Sequence, residues 1–169
     1  GVHDQGSLAN WSGIAMGVTY LMVALVSPFW GKLADRKGRK LILLRASFGM
    51  MVTNALLGFA QSPEHVVMIR ILNGMVSGFF SGSITLVATQ TPESRTGWAL
   101  GLLSAANLGG SLLGPMIGGY MGSTFGIRYA FFVVSALLGI AFLSSLLFIK
   151  EDFTPKVKGP APSFKDLQQ

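Results

Sequence analysis

No Asp, Glu, Lys or Arg falls between Asp4 and Lys32, nor between Arg95 and Arg128. Both intervals exceed the roughly 20 mostly apolar residues that a helix needs to cross a bilayer. A soluble fold of this length has no use for two such runs. Three further segments qualify once charges are taken as boundaries, which gives expected spans at 11–30, 41–60, 66–88, 97–119 and 129–149. Lipid offers no partners to backbone N–H and C=O groups, so each span must satisfy its own as a helix. The chain is therefore read as an all-α, polytopic helical membrane protein with five transmembrane helices. Residues 1–10 form an extracytoplasmic segment, 11–149 the bundle, and 150–169, with Pro155, Pro160 and Pro162, a cytoplasmic linker.

Composition agrees. Only 12% of residues are charged, against about 25% in a soluble domain. The 22 glycines suit closely packed membrane helices. The net charge of +6 does not mark a nucleic-acid binder, because the cations lie in connections beside apolar spans, where they set topology. Residues 32–40 hold five of them; Arg45, Arg95, Lys150, Lys156, Lys158 and Lys165 fall on the same side if every span crosses. The other side has Arg128 in a connection and Arg70 just inside the membrane. The richer side is read as cytoplasmic, which puts the N-terminus as given outside. With no Cys there is no disulfide framework or thiolate metal site. No metal site, cofactor site or catalytic constellation is expected, and no GxxxxGK[ST] loop points to direct ATP use. His3 and His65 are read as solvated loop residues.

Three motifs carry more than topology. Residues 31–40 read G-K-L-A-D-R-K-G-R-K. Glycines there allow a tight turn, and Asp35 can accept backbone N–H bonds at a helix start or pair with an Arg. On the third span, Arg70 precedes Asn73 and Gly74, and Arg70, Gly74, Gly78 and Gly82 recur every four residues and so are expected to share one helix face. An ionisable group at that depth defaults to a functional reading, against the bland one of an Arg snorkelling to the interface. On the fourth span, residues 110–119 read G-S-L-L-G-P-M-I-G-G. Ala106, Gly110, Gly114, Gly118 and Gly122 make a small-residue stripe for close approach of another helix, and Pro115 removes a donor to the Ser111 carbonyl, which should kink or soften the helix.

The first motif resembles the signature loop of the major facilitator superfamily, at Gly31, Leu33, Ala34, Asp35, Arg36, Gly38, Arg39 and Lys40. The second is similar to that family's l-x-x-x-R-x-x-q-G pattern, with Asn73 where Gln is usual. The third resembles the G-x-x-x-G-P-x-x-G-G mark of its drug:proton antiporters, at Gly110, Gly114, Pro115, Gly118 and Gly119. Ser27 to Trp30 and Gly97 to Gly101 add local likeness. The nearest group is the twelve-helix bacterial multidrug efflux proteins, associated with antibiotic resistance. The resemblance implies proton-coupled efflux of drugs or small amphipathic molecules by alternating access. It implies a gating role for residues 31–40 and a proton-coupling role for Arg70. Pairing of Arg36 or Arg39 with Glu93 is expected as part of a cytoplasmic latch. Asn54, Asn73, Ser77, Ser81, Thr85 and Asn107, with Tyr20, Phe79 and Phe80, are candidate cavity groups, although Ser and Thr in such helices usually bond their own backbone.

Family chains begin inside the cell, so an outside N-terminus implies one missing helix ahead of Gly1. The five spans then correspond to helices 2–6 of the first half. The expected partners are the bilayer, that first helix, the C-terminal half, protons and a small-molecule substrate, with no nucleic acid. Every acidic residue lies outside the spans, so a coupling carboxylate would lie on the missing parts. Two alternatives stay open: an exporter of a sugar or other metabolite in the same superfamily, and a stand-alone membrane assembly or anchoring protein.

Overall fold

The computed structural model describes residues 5–149, and among these it is all helix, with no strand. The linker expected at 150–169 and residues 1–4 lie outside the described residues. The helices are α1 (Gln5–Lys37), α2 (Arg39–Gly58), α3 (Pro63–Val76), α4 (Phe79–Gln90), α5 (Glu93–Thr124) and α6 (Ile127–Phe148). With α3 and α4 counted together, five segments are long and apolar enough to cross a membrane. The expected fold class is thus what is observed.

Local chemistry sets the boundaries. Ser62 caps α3, its hydroxyl accepting from the His65 N–H at 3.3 Å, with Pro63 at the first helical position and Glu64 in the first turn. Each feature suits the unpaired N–H groups and positive dipole of a helix start. Gly38 at φ 92 and Gly126 at φ 92 make the turns into α2 and α6. Pro28 and Pro115 lie inside α1 and α5, and both helices run through them unbroken.

The helix α2 is central, packing against α1, α3, α4 and α6. Its seam with α6 is made by close approach. A Cβ on Gly58 would come within 2.7 Å of the Phe132 ring, and one on Gly139 within 3.2 Å of Met51 Sδ. Ser135 Oγ donates to the Met51 carbonyl at 2.8 Å. Between α1 and α3, a Cβ on Gly74 would meet the Thr19 carbonyl at 2.5 Å and Met22 Cβ at 2.7 Å. Small residues let these backbones meet where lipid supplies no hydrophobic drive between helices. Among the described residues α5 packs on α4 and α6 alone and has no buried residue.

Two sequence expectations need correction. Residues 31–40, expected as a short loop, are mostly helix: α1 continues to Lys37 and α2 starts at Arg39, leaving Gly38 as the whole turn. Lys, Leu, Ala and Arg are good helix formers, and the turn needs only one residue with positive φ. The third span is not one helix either. It breaks at Ser77 and Gly78, where Gly78 takes φ 114 in the left-handed region. Arg70, Gly74, Gly78 and Gly82 therefore do not share one continuous face.

Candidate functional site

Among the described residues, cavities open between the helices, two of which bear on the motifs. One, of about 250 Å³, lies among the end of α1, the start of α2 and the broken third span, and is lined by Trp30, Asp35, Arg39, Ser77, Gly78, Ser81 and Thr85 among others. The second, of about 510 Å³, lies at the α2–α3 junction and is lined by Trp11, Ser12, Gln61, Ser62 and Arg70 among others. The first cavity brings the turn motif and the middle of the third span to one place. The second holds Arg70.

At the turn, Asp35 sits in the last turn of α1 and faces Arg39 across Gly38, with Oδ1 and a guanidinium nitrogen 3.9 Å apart. Asp35 does not cap α2, whose N-cap Gly38 receives no side-chain bond. Of the two roles open to Asp35, pairing with an Arg is the one observed. Glu93 lies in the first turn of α5, and among the described residues no ion pair joins it to Arg36 or Arg39. Charge at a helix start suits Glu93 where it stands. Lys40 Nζ donates to the Leu146 carbonyl at 3.2 Å, tying the start of α2 to the end of α6.

The break in the third span holds a group that the motifs did not indicate. Arg45, read from sequence only as a topology determinant, donates to three carbonyls: Met75 at 3.4 Å, Val76 at 3.0 Å and Ser77 at 3.0 Å. Its guanidinium carbon lies 3.4 Å from the centre of the Trp30 ring, and Trp30 Nε1 donates to the Met75 carbonyl at 2.8 Å. A helix that ends inside the membrane leaves its last carbonyls without partners, which lipid does not tolerate. Arg45 and Trp30 supply those partners. A charge one to two turns inside an apolar span was the available signal, since such a residue rarely sits at depth without a specific partner.

The other candidates are placed as follows. Arg70 lines the second cavity, and its carbonyl accepts from Thr19 Oγ1 at 3.3 Å. Asn73 is buried and donates to Thr53 Oγ1 at 2.7 Å, a bond between α3 and α2. Asn54 donates to the Met50 carbonyl of its own helix. Ser81 and Thr85 bond the Gly78 and Ser81 carbonyls, again within their helix. Ser77 lines the first cavity with them. Tyr20 is exposed and lines neither cavity, as is the case for Asn107. Phe79 and Phe80 open α4, and Phe80 is exposed. On α5, a Cβ on Gly110, Gly114, Gly118 or Gly119 would meet nothing within 4 Å. Gly122 alone of that stripe's glycines has a neighbour, Ile127. Pro115 lies in the same unpartnered stretch. Among the described residues no group of His, Asp and Glu could hold a metal ion.

A bundle of helices that includes five segments long and apolar enough to cross a membrane is the architecture of a polytopic membrane protein. Residues 3–167 match the family described as Major Facilitator Superfamily, and the chain belongs to that superfamily, whose members are transporters and not enzymes. Within it, the chain is 45% identical over 167 residues to the "Multidrug resistance protein MdtG" of Proteus mirabilis (strain HI4320), covering 99% of this chain and 42% of that protein. It is 45% identical over 167 residues to the protein of that name in Klebsiella pneumoniae (strain 342), covering 99% and 40%. With the one in Salmonella typhi it is 44% identical over 158 residues, covering 94% and 39%. The chain spans about two fifths of the length of these relatives.

Proposed function

We propose that this chain is the five-crossing part of a proton-coupled exporter of drugs or small amphipathic molecules, working by alternating access around a central site. The observation that carries this reading is the alignment of 99% of the chain, at 45% identity, with a protein named for multidrug resistance. The Gly110 to Gly119 pattern, within the aligned stretch, agrees with it. In this reading the basic turn at Gly38 faces the cell interior, as the excess of Lys and Arg at residues 32–40 favours. The spans are helices 2–6 of the first half, and a first helix and a C-terminal half complete the cavity wall.

Roles follow from position. Asp35, Arg36, Arg39 and Lys40, with Gly31 and Gly38, gate the interior side. Arg70 tunes the affinity of a carboxylate for protons by charge; the carboxylate comes from the longer protein, since no acidic residue lies in these spans. Gly110, Gly114, Pro115, Gly118 and Gly119 form the smooth face on which a helix of the other half slides. Ser77, at the first cavity, is the best placed of the polar substrate candidates, with Tyr20, Asn54, Asn73 and Asn107 available to cavity walls in other states.

The test is drug susceptibility and dye efflux in an exporter-deficient strain expressing the full-length protein that carries this segment. Efflux that collapses when the proton gradient is dissipated, and when Arg70 becomes Ala, is expected. Unchanged susceptibility to every amphipathic cation tried, with flux of a labelled sugar or peptide instead, would favour a metabolite exporter. The isolated 169 residues are expected not to transport.

A further inference from the structure

We infer that Arg45 and Trp30 form a releasable clamp that holds the third crossing in a broken state, and that its alternative is a continuous helix. In an uninterrupted helix the carbonyls of Met75, Val76 and Ser77 would accept from the N–H groups of Phe79, Phe80 and Ser81, four residues on. Those are the same three carbonyls that Arg45 and Trp30 occupy. A carbonyl can accept two bonds, so the conflict lies at Ser77: closing the helix takes its ψ from 179 to the helical value of about −42, which turns its carbonyl away from Arg45, and clamp and continuous helix compete there.

Nothing local enforces the break. Residues 64–91 contain no Pro. The non-Gly residue at the break, Ser77, is extended at φ −66 and ψ 179, a conformation it can exchange for a helical one without strain. Gly78 at φ 114 is the one residue that needs the left-handed region, and glycine visits either sign of φ freely. The clamped arrangement is also not saturated: Arg45 Nε is buried without a hydrogen-bond partner. An unmet buried donor lowers the margin by which the broken state wins.

Trp30 is on α1 and Arg45 on α2, so the clamp straddles the Gly38 turn. Both the turn's Asp35–Arg39 pair and the break border the first cavity. A shift of α1 against α2 at the turn would withdraw the Trp30 ring from Arg45 and its N–H from the Met75 carbonyl, leaving Arg45 alone to hold the break. Arg45 is thus a positioning residue that transmits the state of the basic turn to the middle of the third crossing, by a discrete two-state element of the kind such coupling requires.

The test is amide hydrogen exchange of residues 77–86 in the full-length protein in lipid nanodiscs, a readout that does not depend on transport. In the parent protein Phe79, Phe80 and Ser81 should exchange fast. In Arg45→Gln they should slow by about tenfold or more as the helix closes, because exchange reports the opening of each hydrogen bond. Arg45→Lys keeps the charge but not the planar fork, and should fall between. Gly78→Ala penalises φ 114 with Arg45 intact; it should protect the same amides and raise quenching of Trp30 fluorescence by acrylamide. Fast exchange in a folded Arg45→Gln protein would overturn the inference. If that variant does not fold, Gly78→Ala decides: protected amides with Trp30 quenching unchanged would show that clamp and helix do not compete.

Discussion

At the scale of single residues, burial and charge separate what holds this molecule together from what it uses. The Asp35 side chain is 68% exposed and stands 3.9 Å from Arg39, so their attraction is screened and contributes about 0–1 kcal/mol. Asp35→Asn is therefore expected to leave thermal unfolding in detergent nearly unchanged while lowering efflux by the full-length protein; a large loss of stability would make Asp35 a structural group instead. Gly74 behaves oppositely. A methyl group there meets a backbone carbonyl and Met22 Cβ, neither of which is the free end of a flexible chain. Gly74→Ala should cost about 1–3 kcal/mol, as overpacking does, read as a lower melting temperature with α1 parted from α3. Asn73, buried and bonded to Thr53, is the third kind. A double-mutant cycle at the two positions should give a coupling of about 0.6 kcal/mol, the average for polar pairs between membrane helices.

At the scale of helices, most of the glycine stripe of α5 is unpacked among the described residues. No atom lies within 4 Å of a Cβ built on Gly110 or Gly114. Gly110→Leu should change the stability of this 169-residue chain by no more than about 0.5 kcal/mol, measured by unfolding in detergent, and should lower efflux by the full-length protein, where a helix is proposed to pack there. What the sequence made legible at this scale follows from which interactions are local. Long apolar runs define crossings because lipid solvation acts on each segment by itself, and all five were readable that way, two of them despite a single Arg (Arg45 and Arg70) inside. The break at Ser77 and Gly78 was not, because it depends on donors 45 and 30–32 positions away, on two other helices. Gly78, spaced evenly between Gly74 and Gly82, looked like one more member of a packing face. The Gly38 turn was legible as a connection and misjudged in length, since helix-forming Lys, Leu, Ala and Arg carry α1 up to Lys37. Arg45 was visible as a charge in an apolar span, but its hydrogen-bond acceptors are backbone carbonyls, which leave no mark in the sequence.

At the scale of the whole molecule, large apolar side chains on the outside are the rule: Leu112, Met116, Tyr120 and Phe148 are each about 70% exposed or more. Such a surface suits lipid rather than water. Everything proposed about gating and direction of export depends on which side the Gly38 turn faces. The chain has no Cys, so a single Lys37→Cys introduced into it gives an unambiguous reporter. The decisive measurement is labelling of that position by a membrane-impermeant maleimide. Reaction in inside-out vesicles and permeabilised cells, with none in intact cells, is the expected result. Ready labelling in intact cells would put the basic turn outside and contradict the export mechanism built on it.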